Sequence, residues 1–286
     1  MNIHPGLEHG PIYLDYNATT PVDPMVVEAM LPYLAEHFGN PSSSHSYGDK
    51  AHQAVESARA EVAHLLGCAA KEITFTGGGS ESDNLAIRGI ALANQYKGNH
   101  IITQVTEHPA VLKTCLALER LHGFRITYLP VDRSGRVRVE EVEAAIEEKT
   151  VLITIMHANN ETGTLQPIAD IAKIARKQGV LVHTDAAQTV GKIPVRVEEL
   201  GVDLLTVAGH KLYAPKGIGA LYVRHGLNLE PVIYGGGQEA GRRAGTENVA
   251  YIVGLGTACF LAQEQLSESQ IRLFSLRDKL QLLIEE

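Results

Sequence analysis

Short apolar runs rich in β-branched residues recur along the chain, and segments with helical spacing of their apolar residues separate them. Runs of this kind predict buried strands, and strand–helix alternation predicts a mostly parallel sheet with helices on both faces. The predicted strands cover residues 72–76, 100–105, 125–129, 151–156, 180–184, 203–207 and 218–223. The predicted helices cover residues 49–66, 81–96, 109–121, 139–148 and 167–178. The pattern therefore predicts an α/β fold with seven strands.

Two ends of the chain depart from this alternation. Residues 1–20 form an N-terminal segment without a clear period, and the pattern becomes helical from about residue 249 onward. A chain of 286 residues is long for one core and short for two full domains. We expect a large domain over 21–250 and the helical start of a second, small domain over 251–286. The helical pattern runs to Glu286 without a C-terminal cap signal such as Gly or Pro. We therefore expect that small C-terminal domain to be largely absent.

Composition narrows the possible partners. The chain is 44% hydrophobic and 20% charged, as in ordinary globular proteins, and its net charge of −8 contains no basic block. Nucleic acid and anionic membrane are therefore not expected as partners. We find no apolar stretch of roughly 18 residues and no signal peptide, so we expect a cytoplasmic protein. The three cysteines, in apolar and helical contexts, lack the spacing of a disulfide framework or a metal site.

A glycine-rich turn follows the strand predicted at 72–76 and opens a helix. Gly77, Gly78 and Gly79 let the backbone approach a phosphate group, and a helix N-terminus supplies free N–H groups. Ser80 either adds a hydroxyl or serves as the N-cap. A turn without any ligand remains the alternative, since neither a Walker loop nor a dinucleotide fingerprint is present.

Two strand ends carry the residues that pyridoxal phosphate requires. Asp185 follows the strand at 180–184, where a buried carboxylate needs a cationic partner such as a protonated pyridine nitrogen. Lys211 follows the strand at 203–207, where a desolvated amine becomes a nucleophile that forms a Schiff base. Taken singly, Asp185 is equally explained as an N-cap and Lys211 as an exposed lysine.

Two further strand ends fit the same cofactor. His108 precedes Pro109, and its imidazole is able to stack on a flat ring and assist proton transfer; a turn histidine is the alternative. Asn160 follows the strand at 151–156, where an amide donates to a phenolate oxygen or belongs to a polar turn. Five strand ends that suit one cofactor predict one pyridoxal phosphate site, because ligands bind at the carboxyl ends of parallel strands.

These residues lie in motifs that carry a family resemblance over about residues 12–262. The chain resembles the class V aminotransferase-like enzymes, and most closely the cysteine desulfurases and selenocysteine lyases. The matching motifs are Tyr13–Pro21, Gly39–Ser43, Thr106–His108, Asn159–Gly163, His183–Gln188, Gly209–Lys211, Gly235–Glu239 and Arg243–Asn248. The resemblance implies an aspartate-aminotransferase-like type I fold, with 21–250 as the pyridoxal phosphate domain.

The resemblance also implies a role for each matching residue. Lys211 holds the cofactor and moves protons, Asp185 pairs with the ring nitrogen, and His108 stacks on the ring as a second catalytic residue. Gln188 and Asn160 reach the phenolate oxygen, and Asn160 and Asn17 face the substrate. The phosphate is bound by Gly79, Ser80, His210 and Thr246. In similar enzymes Thr246 reaches the partner subunit's phosphate, which implies a homodimer.

Two departures from the family pattern qualify the implied function. Ala208 stands where the family usually has a serine or threonine that touches the phosphate. The nucleophilic cysteine loop and the carboxylate-binding arginine of the desulfurases have no match in the chain. The expected function is conversion of L-cysteine to L-alanine with transfer of sulfur to an acceptor protein, for iron–sulfur clusters or other sulfur metabolism. The alternatives are a selenocysteine lyase and a non-catalytic, cofactor-binding or dimerising half.

Overall fold

All seven predicted strands are present in one sheet. The computed structural model describes residues 4–8 and 10–285. The strands are β1 (Ile73–Thr76), β2 (His100–Gln104), β3 (Arg125–Leu129), β4 (Thr150–Thr154), β5 (Leu181–Asp185), β6 (Leu204–Ala208) and β7 (Gly219–Val223). Each lies within one or two residues of its predicted range. A continuous buried apolar run has few ways other than a sheet to pair its backbone N–H and C=O groups.

The sheet is parallel apart from one strand. Its order is β1-β7-β6-β5-β4-β2-β3, and β7 runs antiparallel to both of its neighbours. The pairs β2–β3, β2–β4, β4–β5 and β5–β6 are parallel. The carboxyl ends of the six co-directional strands therefore lie along one edge of the sheet, which is where a ligand site is expected.

Helices cover both faces of the sheet. They are α1 (Pro24–Ala35), α2 (Ser46–Leu66), α3 (Gly79–Ala93), α4 (Pro109–His122), α5 (Val139–Ala145), α6 (Ile168–Lys177), α7 (Val197–Leu200) and α8 (Val249–Glu285). Neighbouring strand residues point to opposite sides: Ile102 joins the core beneath α1, α2, α5, α6 and α8, whereas Ile101 joins the core beneath α3 and α4. The predicted two-faced arrangement is confirmed.

Helix α8 corrects one expectation of the sequence analysis. By length and composition it is apolar enough to cross a membrane, with half of the relevant window buried inside the fold. Its first half packs on α1 and α2 through residues such as Ile252, Leu255 and Cys259. A central helix of a folded domain shows the same apolar character. Its second half exposes apolar side chains, among them Leu273, Phe274, Leu280 and Leu283.

A second correction concerns Cys68. It lies outside a helix, directly after Gly67, which ends α2 in the left-handed conformation that glycine adopts without strain. Cys115 and Cys259 lie in helices and are buried, as expected, whereas Cys68 is half-buried. Burial raises the pKa of the thiols of Cys68 and Cys115 to about 12, so both remain protonated near neutral pH.

The segment that carries Thr246 is held to the sheet by a buried ion pair. Arg59 on α2 donates from both terminal nitrogens to Glu239, at 2.7 and 2.8 Å. The same carboxylate accepts from the backbone N–H of Phe75 at 2.8 Å. Removing one partner of such a pair costs about 3–5 kcal/mol, because the other charge stays buried. This contact holds residues 235–248 against α2 and β1.

Candidate functional site

One cavity of about 1000 Å³ opens at the carboxyl edge of the sheet. Nearly all residues predicted to form the site line it: Asn17, Gly79, Ser80, His108, Asn160, Asp185, Gln188, His210 and Lys211. They come from the ends of β1, β2, β4, β5 and β6 and from the N-terminal segment. Parallel strands bring these positions together, although they lie up to 194 residues apart in the chain.

The glycine turn provides a close backbone approach at one end of the cavity. Gly78 has a φ of 144°, which side-chain-bearing residues rarely adopt, and it precedes the first residue of α3. A Cβ atom at Gly79 would lie only 3.0 Å from the Cβ atom of Ala208. Ser80 lies within the first turn of the helix and the N-cap is Gly78, so the N-cap alternative for Ser80 is wrong. Gly77 donates its N–H to the Glu81 carboxylate at 2.8 Å, so the N–H groups from Gly79 onward, in the first turn of α3, are the ones able to receive an anion.

Asp185 presents a buried carboxyl group to the cavity. It is the last residue of β5, is 8% exposed, and accepts from the backbone N–H of Ala187 at 2.9 Å. Burial raises its pKa, whereas the Ala187 hydrogen bond and the charges of His108 and Lys211 act in the opposite direction. A cationic partner in the cavity is therefore what this carboxylate requires to remain ionised.

Lys211 lies in a short 3-10 turn that follows β6 directly. Its amine donates to the carbonyl oxygens of Asn17 and Ala18, so the N-terminal segment closes over it. Burial lowers the pKa of Lys211, and the carboxylates of Asp185 and Asp15 partly oppose this change. Asp185 and Lys211 thus line one cavity and interact electrostatically, as the sequence predicts.

His108 serves as a helix cap and also reaches the cavity. Its Nδ1 atom accepts from the backbone N–H of Ala110 at 3.1 Å, so the neutral ring carries its proton on Nε2. The turn-histidine interpretation and the cavity position therefore both hold for this residue. Asn160 is half-buried at the cavity wall, and its backbone oxygen accepts from Asn17 Nδ2 at 3.3 Å.

His210 and Thr246 differ in placement. His210 lines the cavity, and its Nδ1 atom lies 3.1 Å from the hydroxyl of Thr19. Thr246 is exposed and is absent from the cavity wall of its own subunit. Exposure is what a residue that reaches into a second subunit requires.

Two buried acids beside the cavity escaped the sequence analysis. Asp83 on α3 is 1% exposed, and one of its carboxyl oxygens has no hydrogen-bond partner. Glu107 accepts from the Met156 backbone at 2.7 Å and from Gln104, while its second oxygen is unpartnered. Burial raises the pKa of Asp83 well above its usual range and that of Glu107 to about 8. For Asp83, the sequence pattern that indicates burial is its helical spacing from Ile87 and Ile90, which are buried on the same face of α3.

His183 lies beneath Asp83 and is uncharged. Its two ring nitrogens meet the hydroxyls of Thr154 and Thr206, at 2.8 and 3.0 Å. Complete burial lowers its pKa to about 3. The 3.8 Å approach of its Nε2 atom to Asp83 is therefore not an ion pair at neutral pH.

Comparison with known proteins decides the family. The family model of class-V aminotransferases matches residues 12–284. The chain belongs to the class-V aminotransferase family. A cysteine desulfurase IscS from Dictyoglomus turgidum is 54% identical over 93% of the chain and 68% of its own length. A cysteine desulfurase IscS from Methanosarcina thermophila is 52% identical over 96% of the chain and 67% of its own length. The chain therefore spans about two thirds of these curated relatives.

Solved structures agree with this class-V assignment. A NifS-like protein superposes with a TM-score of 0.91 at 45% identity, covering 94% of this chain and 74% of that one. The protein SspA, solved in complex with cysteine, superposes with a TM-score of 0.85 at 47% identity, covering 87% and 72%. The expected type I fold is confirmed by these neighbours.

The cavity fits the cofactor of class-V aminotransferases, pyridoxal phosphate. A glycine turn at a helix N-terminus suits the phosphate group, a buried carboxyl group suits a protonated ring nitrogen, and an amine with a lowered pKa suits an aldehyde. Gly79, Asp185 and Lys211 supply these three features from three different strand ends. Ala208 supplies no hydroxyl to the phosphate end, as the sequence indicates.

Proposed function

We propose that the chain is the cofactor-binding part of a cysteine desulfurase, which converts L-cysteine to L-alanine and passes sulfur to an acceptor. The single observation that carries this is the cavity that brings Lys211, Asp185 and the Gly77–Gly79 turn together. The relatives named cysteine desulfurase and the cysteine complex of SspA support the substrate. The bound cofactor supplies an electron sink for cleavage of the substrate Cβ–Sγ bond.

Lys211 binds the cofactor and then moves a proton at the substrate α-carbon. Its lowered pKa increases the fraction of neutral amine, which is the reactive form. The carbonyl oxygens of Asn17 and Ala18 accept hydrogen bonds from this amine and hold it at the cavity wall. Asp185 holds the protonated ring nitrogen, which keeps the electron sink in its active form. The ring of His108 lines the cavity and, because its Nδ1 atom accepts from Ala110, directs Nε2–H as a hydrogen-bond donor.

Gln188 and Asn160 complete the proposed cofactor and substrate contacts. Both side chains are half-buried on the cavity wall and offer amide donors. We assign Gln188 and Asn160 to the phenolate oxygen of the cofactor. We assign Gly79, Ser80 and His210 to its phosphate group. Asn17 and Asn160 are assigned to the substrate side. The proposed boundaries of the large domain, residues 21–250, enclose every one of these residues except Asn17.

The sulfur-accepting thiol is not one of the chain's three cysteines. Cys68, Cys115 and Cys259 all lie in the described part of the chain, and none lines the cavity. In the proposed step, an acceptor thiolate attacks the substrate sulfur and the Cβ–Sγ bond breaks. The acceptor leaves as a persulfide, and the carbon fragment gains a proton and leaves as alanine. An added thiol or an acceptor protein supplies that thiolate.

A homodimer and a cytoplasmic location complete the proposal. Thr246 is exposed and does not line its own cavity, and residues 235–248 are anchored by Arg59 and Glu239, which suits a contact with the partner subunit's phosphate. Light scattering of the purified chain tests the dimer. If the chain is monomeric and Thr246→Ala leaves cofactor affinity unchanged, the assignment of Thr246 fails.

The proposed activity is tested by measuring alanine formed from L-cysteine in the presence of pyridoxal phosphate and dithiothreitol. Alanine and sulfide in equal amounts are expected, and their absence with a bound cofactor contradicts the proposal. Selenocysteine lyase remains the second candidate, because no cysteine of the chain lines the cavity, selenium is a better leaving group than sulfur, and such lyases depend less strictly on a cysteine loop. A rate on selenocysteine that is largely independent of dithiothreitol, with no turnover of cysteine, identifies that activity instead.

A further inference from the structure

Lys192 lies behind the cavity wall and contacts one of the residues that form it. Its Nζ atom donates to Gln188 Oε1 at 2.9 Å, and the contact is partly buried. Gln188 lines the cavity, whereas Lys192 is absent from its wall. Lys192 is held in place by its own backbone N–H, which donates to Thr189 at 3.0 Å. Lys192 therefore contacts the site through a neighbour, Gln188.

The contact determines which end of the Gln188 amide faces the cavity. An ammonium group only donates hydrogen bonds, so it meets the amide oxygen and turns the NH₂ group away from itself. That NH₂ group donates to the carbonyl oxygen of Asn17 at 3.0 Å. The same carbonyl oxygen accepts from Lys211. The Gln188 donor is thus directed to the place where Lys211 presents its amine.

The charge of Lys192 also strengthens this donor. A cation bound to an amide oxygen polarises the group, and hydrogen bonds in such chains reinforce one another. Burial, and to a lesser extent the charge of Lys211, lowers the pKa of Lys192 to about 8, so Lys192 is mostly charged at neutral pH. An anionic oxygen in front of the amide is the ligand that benefits from this arrangement.

We propose that Lys192 is a positioning residue, which fixes and polarises the Gln188 amide so that its NH₂ group binds the anionic oxygen of the cofactor ring. This inference rests on the proposed function, because it takes Gln188 as the contact to that oxygen. It assigns no chemical step to Lys192. Its effect is on cofactor binding.

The test is a double-mutant cycle on the dissociation constant of pyridoxal phosphate, measured by visible absorbance with the full chain. Lys192→Met is expected to weaken binding about tenfold, as for loss of a charge-assisted hydrogen bond. Lys192→Arg, which keeps the charge and the donor, is expected to bind within about twofold of the native chain. In a Gln188→Leu background, Lys192→Met is expected to change binding by less than about twofold.

Two outcomes overturn the inference. One is native-like binding by Lys192→Met; the other is an equal loss from this substitution with and without Gln188. Thermal unfolding of the cofactor-free variants controls for folding, and Lys192→Gln, a smaller change without charge, replaces the Met variant if that variant does not fold. Failure of the native chain to bind the cofactor overturns the proposed function together with this inference, whereas native binding with an unaffected Lys192→Met overturns the inference alone.

Discussion

Lys211 Nζ donates to the carbonyl oxygen of Ala18 at 2.8 Å, across 193 positions of the chain. The N-terminal segment therefore closes the cavity over the amine that the cofactor needs. Burial by this segment contributes to the lowered pKa of Lys211, since desolvation disfavours the charged form. The strand end places the lysine, and a remote segment adjusts its reactivity.

The first prediction concerns the amine itself. Lys211→Ala is expected to abolish the visible absorbance of lysine-bound cofactor and to reduce alanine formation by on the order of a thousandfold or more. The exposed Lys173 on α6 offers a control, because Lys173→Ala removes a lysine far from the cavity. Retention of the native absorbance by Lys211→Ala means that another amine holds the cofactor.

A substitution at Asp185 should affect cofactor binding and the stability of the cofactor-free chain in different ways. Asp185→Asn removes the charge and keeps an oxygen for the Ala187 N–H group. Loss of a charged hydrogen bond is expected to weaken cofactor binding by about 1.5–3 kcal/mol. The cofactor-free variant should be at least as stable as the native chain at pH 8, because burial raises the pKa of Asp185 and makes its ionisation unfavourable. Urea unfolding and absorbance titration measure the two effects; a variant that is both less stable and equally good at binding contradicts them.

Glu107 gives the cofactor-free chain a pH-dependent stability. Its pKa is about 8 in the folded chain and near 4.5 when exposed, so the folded chain holds an extra proton between these values. The contribution of Glu107 to the free energy of unfolding should therefore fall as pH rises across this interval, by at most about 1.4 kcal/mol per pH unit for one group. Raised pKa values of Asp83 and Asp185 act in the same direction. The lowered pKa values of His100, His157 and His183 act in the opposite direction below about pH 6.5.

Urea unfolding of the cofactor-free chain at several pH values between 5 and 8 is the corresponding measurement. Glu107→Gln should flatten the curve and leave stability higher at pH 8 than in the native chain, because its amide oxygen still serves the Met156 N–H group. Glu148 is exposed, so Glu148→Gln serves as the matched control. Equal slopes in the Glu107 variant and the native chain show that Glu107 does not carry the extra proton.

Ala208 is the position at which cofactor binding should be improvable. It lines the cavity beside Gly79 and offers no hydroxyl to a phosphate. Ala208→Ser is expected to tighten cofactor binding by about 0.5–1.5 kcal/mol, the value of one hydrogen bond. Absorbance titration gives the affinity, and the melting temperature of the cofactor-free protein shows whether the added oxygen crowds Gly79. Unchanged affinity without loss of stability means that the phosphate lies elsewhere.

The sequence determined the strands, their mainly parallel order and the residues at their ends. Apolar runs such as 151–156 and 203–207 leave little choice of local structure, and parallel strands bring Asp185 and Lys211 to one edge. The motif around Gly77–Gly79 likewise indicates a close backbone approach by its glycine content alone.

Only the tertiary structure showed the second layer of the site. Asp83, Glu107 and Lys192 are ionisable residues, which a sequence pattern assigns to solvent, because burial and partners depend on contacts between distant segments. Two further features also depend on contacts between distant segments. Asn17 and Ala18 accept hydrogen bonds from Lys211, and Arg59 anchors Glu239. Local periodicity specifies which face of an element is buried, whereas the pKa of a side chain is specified by the groups that packing brings against it.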